Sequence, residues 1–220
     1  MAFRRRVIRR RAPPRRRRAT IRRRRLRKKT FRRKTGNFTL KVRKTAVLAI
    51  DSDKGYSYNV APTLNDYEEA APYIPYFESY RIWNCTVKVT PLFNVASPTE
   101  AVPRYYSAPW HRAGPTALST GTILSLDKAK SHNGTSGSYR RYTPSVLIDT
   151  SIAGTPGQRI GKVEWRPKIA LQVSSTGIPH YCALYHWSID QLQGSQVTQR
   201  QYEIEICSTI TFYTQKSFQG

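Results

Sequence analysis

The chain has 220 residues and a mass of 25.3 kDa, the size of one ordinary domain or a domain with a tail, and carries 38 Lys+Arg against 13 Asp+Glu for a formal charge of +25. The charge is lopsided: 23 of the basic residues and none of the acids precede position 45, which leaves 15 bases against all 13 acids in the remainder. No apolar run approaches the ~18–20 residues of a spanning helix, so membrane insertion is not expected, and 4 Trp, 14 Tyr and 7 Phe are enough to build a core.

The chain opens on an arm, residues 1–36. Its basic residues are Arg4, Arg5, Arg6, Arg9, Arg10, Arg11, Arg15, Arg16, Arg17, Arg18, Arg22, Arg23, Arg24, Arg25, Arg27, Lys28, Lys29, Arg32, Arg33 and Lys34. A block of this kind repels itself and has no apolar content to fold around, so it is expected to be disordered in isolation. It is not a secretory signal, because Val7, Ile8, Ile21 and Leu26 stand singly among arginines. Arginine outnumbers lysine there by 17 to 3. The guanidinium fork grips phosphate bidentately and stacks on bases, which favours nucleic acid over a mere solubility tail. Nothing in the arm holds side chains at base edges, so the expected binding is sequence-independent and salt-sensitive. Heparin-like sulfated polysaccharide shares the electrostatics and is a second candidate partner. The clusters also fit the loose pattern of a nuclear localisation signal, which makes host import machinery a third.

From residue 37 onward the texture is alternation. Phe38, Leu40 and Val42 oppose Thr39, Lys41 and Arg43, and the same parity resumes at Ala46, Leu48 and Ile50. Trp83, Cys85, Val87 and Val89 alternate with polar residues and place Trp83 in the core. Ile169, Leu171 and Val173 alternate again, and Tyr202, Ile204, Ile206, Ser208, Ile210 and Phe212 give the longest run. A period of two predicts half-buried strands. Two short stretches, 63–71 and 118–129, have a helical look. About eight strands with long connections predict an all-β sandwich or jelly roll.

The catalytic patterns fail one by one. The glycine-rich turn at 154–162 has Pro156 where a phosphate loop needs glycine and Val163 where it needs Ser or Thr. Gly134-Thr135-Ser136-Gly137 misses the nucleophile elbow by one residue. His180, Cys182 and His186 share parity, but a structural zinc wants four ligands with sequence-local pairs, so no metal is expected. Cys85, Cys182 and Cys207 are too sparse for a disulfide framework, and no cofactor or enzymatic activity is predicted. The longest loop, 91–120, carries Phe93, Tyr105, Tyr106 and Trp110. It is too apolar for a simply solvated segment and is the candidate assembly interface.

The order of features resembles the capsid proteins of circoviruses, nearest to their cyclovirus branch. The carriers are the arginine-rich arm leading into Gly36-Asn37-Phe38-Thr39-Leu40-Lys41-Val42, then Leu64-Asn65-Asp66-Tyr67, Phe77-Glu78-Ser79-Tyr80-Arg81-Ile82 with Val87-Lys88-Val89 and Pro91, then Tyr139-Arg140-Arg141-Tyr142-Thr143-Pro144, and the strand at 202–212. The resemblance implies a single eight-stranded jelly roll over 37–220 and self-assembly of sixty copies into a small icosahedral (T=1) shell. It also implies a circular single-stranded DNA genome inside, gripped by the arm, with virion and host nucleus as locations and attachment to host cells as a further role. The residues alone also fit a cellular nucleic-acid-binding β protein of ribosomal or chromatin type. Such a protein is expected to spread its basic residues over the folded surface, and the nearly neutral body disfavours it.

Overall fold

The period of two becomes eleven strands in three antiparallel sheets among the residues that the computed structural model describes: 36–51, 54–93, 102–115, 118–151, 159–188 and 199–216. In chain order they are β1 (Phe38–Asp51), β2 (Tyr56–Val60), β3 (Phe77–Pro91), β4 (Tyr105–Pro109), β5 (Lys130–His132), β6 (Ser138–Tyr142), β7 (Ser145–Ser151), β8 (Arg159–Trp165), β9 (Ile169–Ala170), β10 (Ala183–Trp187) and β11 (Gln199–Gln215). The first sheet runs β1-β11-β3-β6 with β9 added to β3, the second runs β2-β10-β4-β5, and β7-β8 is a separate hairpin. The neighbours are distant in sequence, as in the doubly Greek-key jelly roll, and this is that fold.

The inward residues of both sheets meet in one core. From the first sheet come Leu48, Ile50, Cys85, Val87, Val89, Tyr142, Tyr202, Ile204 and Ile206; from the second come Val60, Tyr105, Ala183, Tyr185 and Trp187. Aromatic burial dominates, and each buried hydroxyl needs a partner. Tyr105 donates to the Ser136 carbonyl at 2.9 Å, Tyr202 to the Gly134 carbonyl at 3.1 Å, and Tyr142 to the Tyr185 hydroxyl at 3.1 Å. Gly134 earns its place by close approach: a Cβ there would lie 2.2 Å from the Pro103 carbonyl oxygen. The Gly134–Gly137 turn is therefore a receptor for core tyrosines. A second cluster, Val42, Leu64, Tyr67, Phe77, Tyr80, Ile82, Ile210 and Phe212, fills the other half of the first sheet, where the 3-10 segments Leu64–Asp66 and Glu68–Tyr76 contribute Leu64 and Ala70 and the residue between them, Tyr67, adds its ring.

Two expectations need correction, and a third is met in shortened form. Trp83 is not a core residue. Asn84 pairs with Thr209 and Ile82 with Ile210, so Trp83 is the extra residue of a bulge that resets the parity of β3. Tyr80 and Ile82 point inward on one side of it and Cys85, Val87 and Val89 on the other. Trp83 is half-buried, and its Nε1 donates to Thr211 Oγ1 at 2.9 Å. The alternation at 169–173 yields only the two-residue β9. The backbone then turns, with Ser175 Oγ bonding both N–H and C=O of Gln172, and Val173 is fully exposed. The stretch 118–129 forms one short α-helix, α1 (Thr120–Leu124), capped by Ser119 Oγ on the Thr122 amide.

Candidate nucleic-acid interface

All twenty basic residues assigned to the arm lie outside the described residues. The described chain takes over at Gly36, where an added Cβ would lie 3.5 Å from the backbone nitrogen of Gln215 at the end of β11. From there β1 crosses the first sheet edge with Phe38 opposite Phe212.

The outward face of this sheet is basic. Lys41 and Arg43 on β1, Arg81 and Lys88 on β3 and Arg141 on β6 project from it, against Asp51 on β1 and Glu203 and Glu205 on β11. Glu205 is engaged by Arg43 at 2.9 Å. Near the joining point the cations are backed by aromatics: Arg81 lies 5.1 Å from the Trp83 ring centre and 5.9 Å from that of Tyr213, and Lys168 lies 5.1 Å from Tyr213. Tyr139, on the same face of β6, is 74% exposed. The near-cancellation of charge over the whole body concealed that one face holds more cations than acids.

The loop aromatics are turned back onto their own domain. Tyr105 is fully buried between His132 and Trp187, with ring centres at 4.8 and 5.6 Å, and it is withdrawn from the assembly candidates as a core residue. Phe93 packs edge-on against Tyr202 with the Arg200 guanidinium 5.3 Å from its ring centre. Tyr106 and Trp110 pack with Ala108, Ile123 and Leu184, the small cluster under α1. Trp110 also lines a groove of about 450 Å3 with His111, Arg112, Val163 and Trp165. Trp165, from the hairpin, is 53% exposed and is the open aromatic of this region.

All four histidines sit in or beside the second sheet, and burial pushes the pKa of each below its ordinary value. Ser107 Oγ accepts from Arg140 Nη1 at 2.8 Å and lies 2.8 Å from His132 Nε2. His186 Nδ1 lies 3.0 Å from Ser57 Oγ, and His111 Nδ1 lies 2.9 Å from Ser145 Oγ. His180 Nδ1 donates to the Ile178 carbonyl, Nε2 is buried without a partner, and the pKa falls to about 4. The parity of His180, Cys182 and His186 does not assemble them: Cys182 joins the central core, while His186 turns to Ser57. Among the described residues no three of His, Cys, Asp and Glu come together as a metal site, and no helix is long and apolar enough to cross a membrane.

A model of the circovirus capsid protein family matches residues 8–216. The capsid protein of Human associated cyclovirus 1 is 33% identical over 187 residues, covering 83% of this chain and 84% of its own length. Among solved structures, the 60-mer BFDV capsid protein superposes with a TM-score of 0.62 at 18% identity, over 84% of this chain and 98% of that one. Its decameric form gives 0.52 at the same identity, over 80% and 99%. The structural likeness supports the jelly roll, the sequence match covers arm and body together, and the chain belongs to the circovirus capsid protein family.

Proposed function

We propose that this viral capsid protein is the coat subunit that associates with copies of itself into a closed shell and packages single-stranded DNA through residues 1–36. The observation that carries the reading is the acid-free arm of twenty cations joined to a jelly roll whose adjoining sheet face is itself basic. The relatives that form a 60-mer and a decamer support assembly of like subunits. Sixty arms of this charge would neutralise on the order of a thousand phosphates, the scale of a small genome. Before assembly the same exposed clusters would serve nuclear import, and sulfated polysaccharide remains a partner of matching charge. The exposed Trp165 beside Trp110 is the aromatic surface available to a neighbouring copy.

Electron microscopy and sedimentation of the purified chain test the shell, with large closed particles expected and a small species contradicting it. Titration with DNA tests packaging. Affinity should fall about 10³–10⁵-fold between about 50 and 200 mM salt with little sequence preference. Removal of residues 1–36 should abolish nucleic-acid retention and leave the β circular dichroism unchanged. A short sequence bound selectively at high salt would contradict a phosphate-driven arm. Residues 1–34 fused to a neutral reporter should carry it into the nucleus.

A further inference from the structure

Two exposed features away from the basic sheet face are complementary to one another. The first is the groove of about 450 Å3 between the exit of β4 and the β7-β8 hairpin, walled by Trp110, His111 and Arg112 on one side and Val163 and Trp165 on the other. Val163 and Trp165 stand two residues apart on β8 and so share a face. The edge-on contact of His111 with Trp165, 4.3 Å between ring centres, ties that face to the strand exit. Trp110 Nε1 donates to the Ala113 carbonyl at 3.0 Å, which fixes the second indole. Arg112 is exposed, and its side chain has no hydrogen bond, ion pair or ring contact with any described residue.

The second feature is the 3-10 segment Glu68–Tyr76, which contains Pro72 and Pro75. Three residues per turn stack positions three apart, so the segment carries three ridges. The ridge that starts at buried Ala70 faces inward, with Tyr73 4.6 Å from Phe38 between ring centres. The ridge Glu69-Pro72-Pro75 is exposed at every position. At a rise of about 2 Å per residue it sets a carboxylate and two proline rings in line, about 6 Å apart. The prolines fix their own φ and present no amide hydrogen that a partner would leave unpaired. Glu69 has no ion pair or hydrogen bond with any described residue.

We propose that the Glu69-Pro72-Pro75 ridge of one copy docks in the Trp110–Trp165 groove of a second copy, with Glu69 paired to Arg112 and the proline rings against the indoles. The proposal rests on the shell reading and names a contact within it. Aromatic-lined grooves take proline-rich segments because the backbone is already set and little entropy is lost on docking. Charge decides the partner. Two grooves would set Arg112 against Arg112, and two ridges Glu69 against Glu69, so neither patch suits itself. Groove must meet ridge, which makes the contact head-to-tail. A head-to-tail contact repeated around an axis closes a ring of subunits, where a self-matching patch stops at a dimer.

The test uses the full chain and follows particle formation by sedimentation and electron microscopy over a range of protein concentrations at fixed salt. Arg112→Glu and Glu69→Arg should each raise the concentration at which particles appear about 10-fold. The two reversals combined in one chain should return it to the parent's value, because each groove again meets a ridge of opposite sign. Trp165→Ala should raise it in the same way. Glu69, Arg112 and Trp165 are all exposed, so circular dichroism of the variants should match the parent. The contact is overturned if either single reversal or Trp165→Ala assembles at the parent's concentration, the result expected of a groove that serves a glycan or a host protein instead. It is equally overturned if the double reversal stays as impaired as the single ones. Failure of the shell reading looks different: the unaltered chain forms no particles at any concentration, and the contact falls with it.

Discussion

The two sheets of this jelly roll share a core and differ in what else they carry. The first, β1-β11-β3-β6, presents fixed cations to solvent and contains no histidine. The second, β2-β10-β4-β5, has all four histidines in it or beside it, three of them on serine hydroxyls and all below their ordinary pKa. The first sheet therefore carries an excess of cations over carboxylates on its open face. The other depends on imidazoles staying neutral, and acidification acts on it selectively.

The comparison can be broken by experiment. The largest effect is expected from Trp187→Ala, which empties a fully buried ring site in the second sheet and should cost about 3–5 kcal/mol in a denaturant titration. Acidification comes next. His180 has a folded pKa of about 4 against an ordinary 6.5, so the unfolded chain binds the extra proton first. Its contribution is complete above pH 6.5 and lost as pH falls toward 4, on the order of 3 kcal/mol. His132 adds to the loss in the same direction, because desolvation and then the neighbouring Arg140 and Lys130 oppose its charging. Hydrogen exchange near pH 5 should show β2, β4, β5 and β10 losing protection before β1, β3 and β11; equal loss would dissolve the distinction between the sheets. Trp83→Ala removes a half-buried ring and one hydrogen bond on the cationic face, and should cost about 1 kcal/mol, well under the Trp187 value. Lys88→Ala, on the same exposed face, should change stability by less than about 0.5 kcal/mol.

The strands that alternate without interruption, β1 and β11, were legible in the sequence because burial on one face forces a period of two. β3 was legible only up to its bulge. Nothing local in Ile82-Trp83-Asn84 announces an extra residue, because the reason for it lies across the sheet at Thr209 and Ile210. The same limit applies to the loop aromatics. Tyr105, Tyr106 and Trp110 are rich in apolar surface wherever they point, and only the partners, Trp187 for the first and the cluster under α1 for the others, decide that they fold back. The arm was legible from composition as a block of unopposed cations. The cationic face of the first sheet was not, since Lys41 and Arg141 are a hundred residues apart in sequence and share that face only through β11 and β3.

The place of β11 has a consequence for how the chain folds. It lies between β1 and β3 and pairs with both along most of its length, so Phe38 waits for Phe212 and Ile50 for Arg200. A ribosome making this chain releases the arm first and the central strand of the sheet last. Contacts of such separation close slowly, and until they do, the unpaired flanks of β1 and β3 are open edges. During that interval the cationic arm is already outside the ribosome. The like charge of the arms opposes the meeting of two such chains, which keeps their open edges apart until β11 is placed.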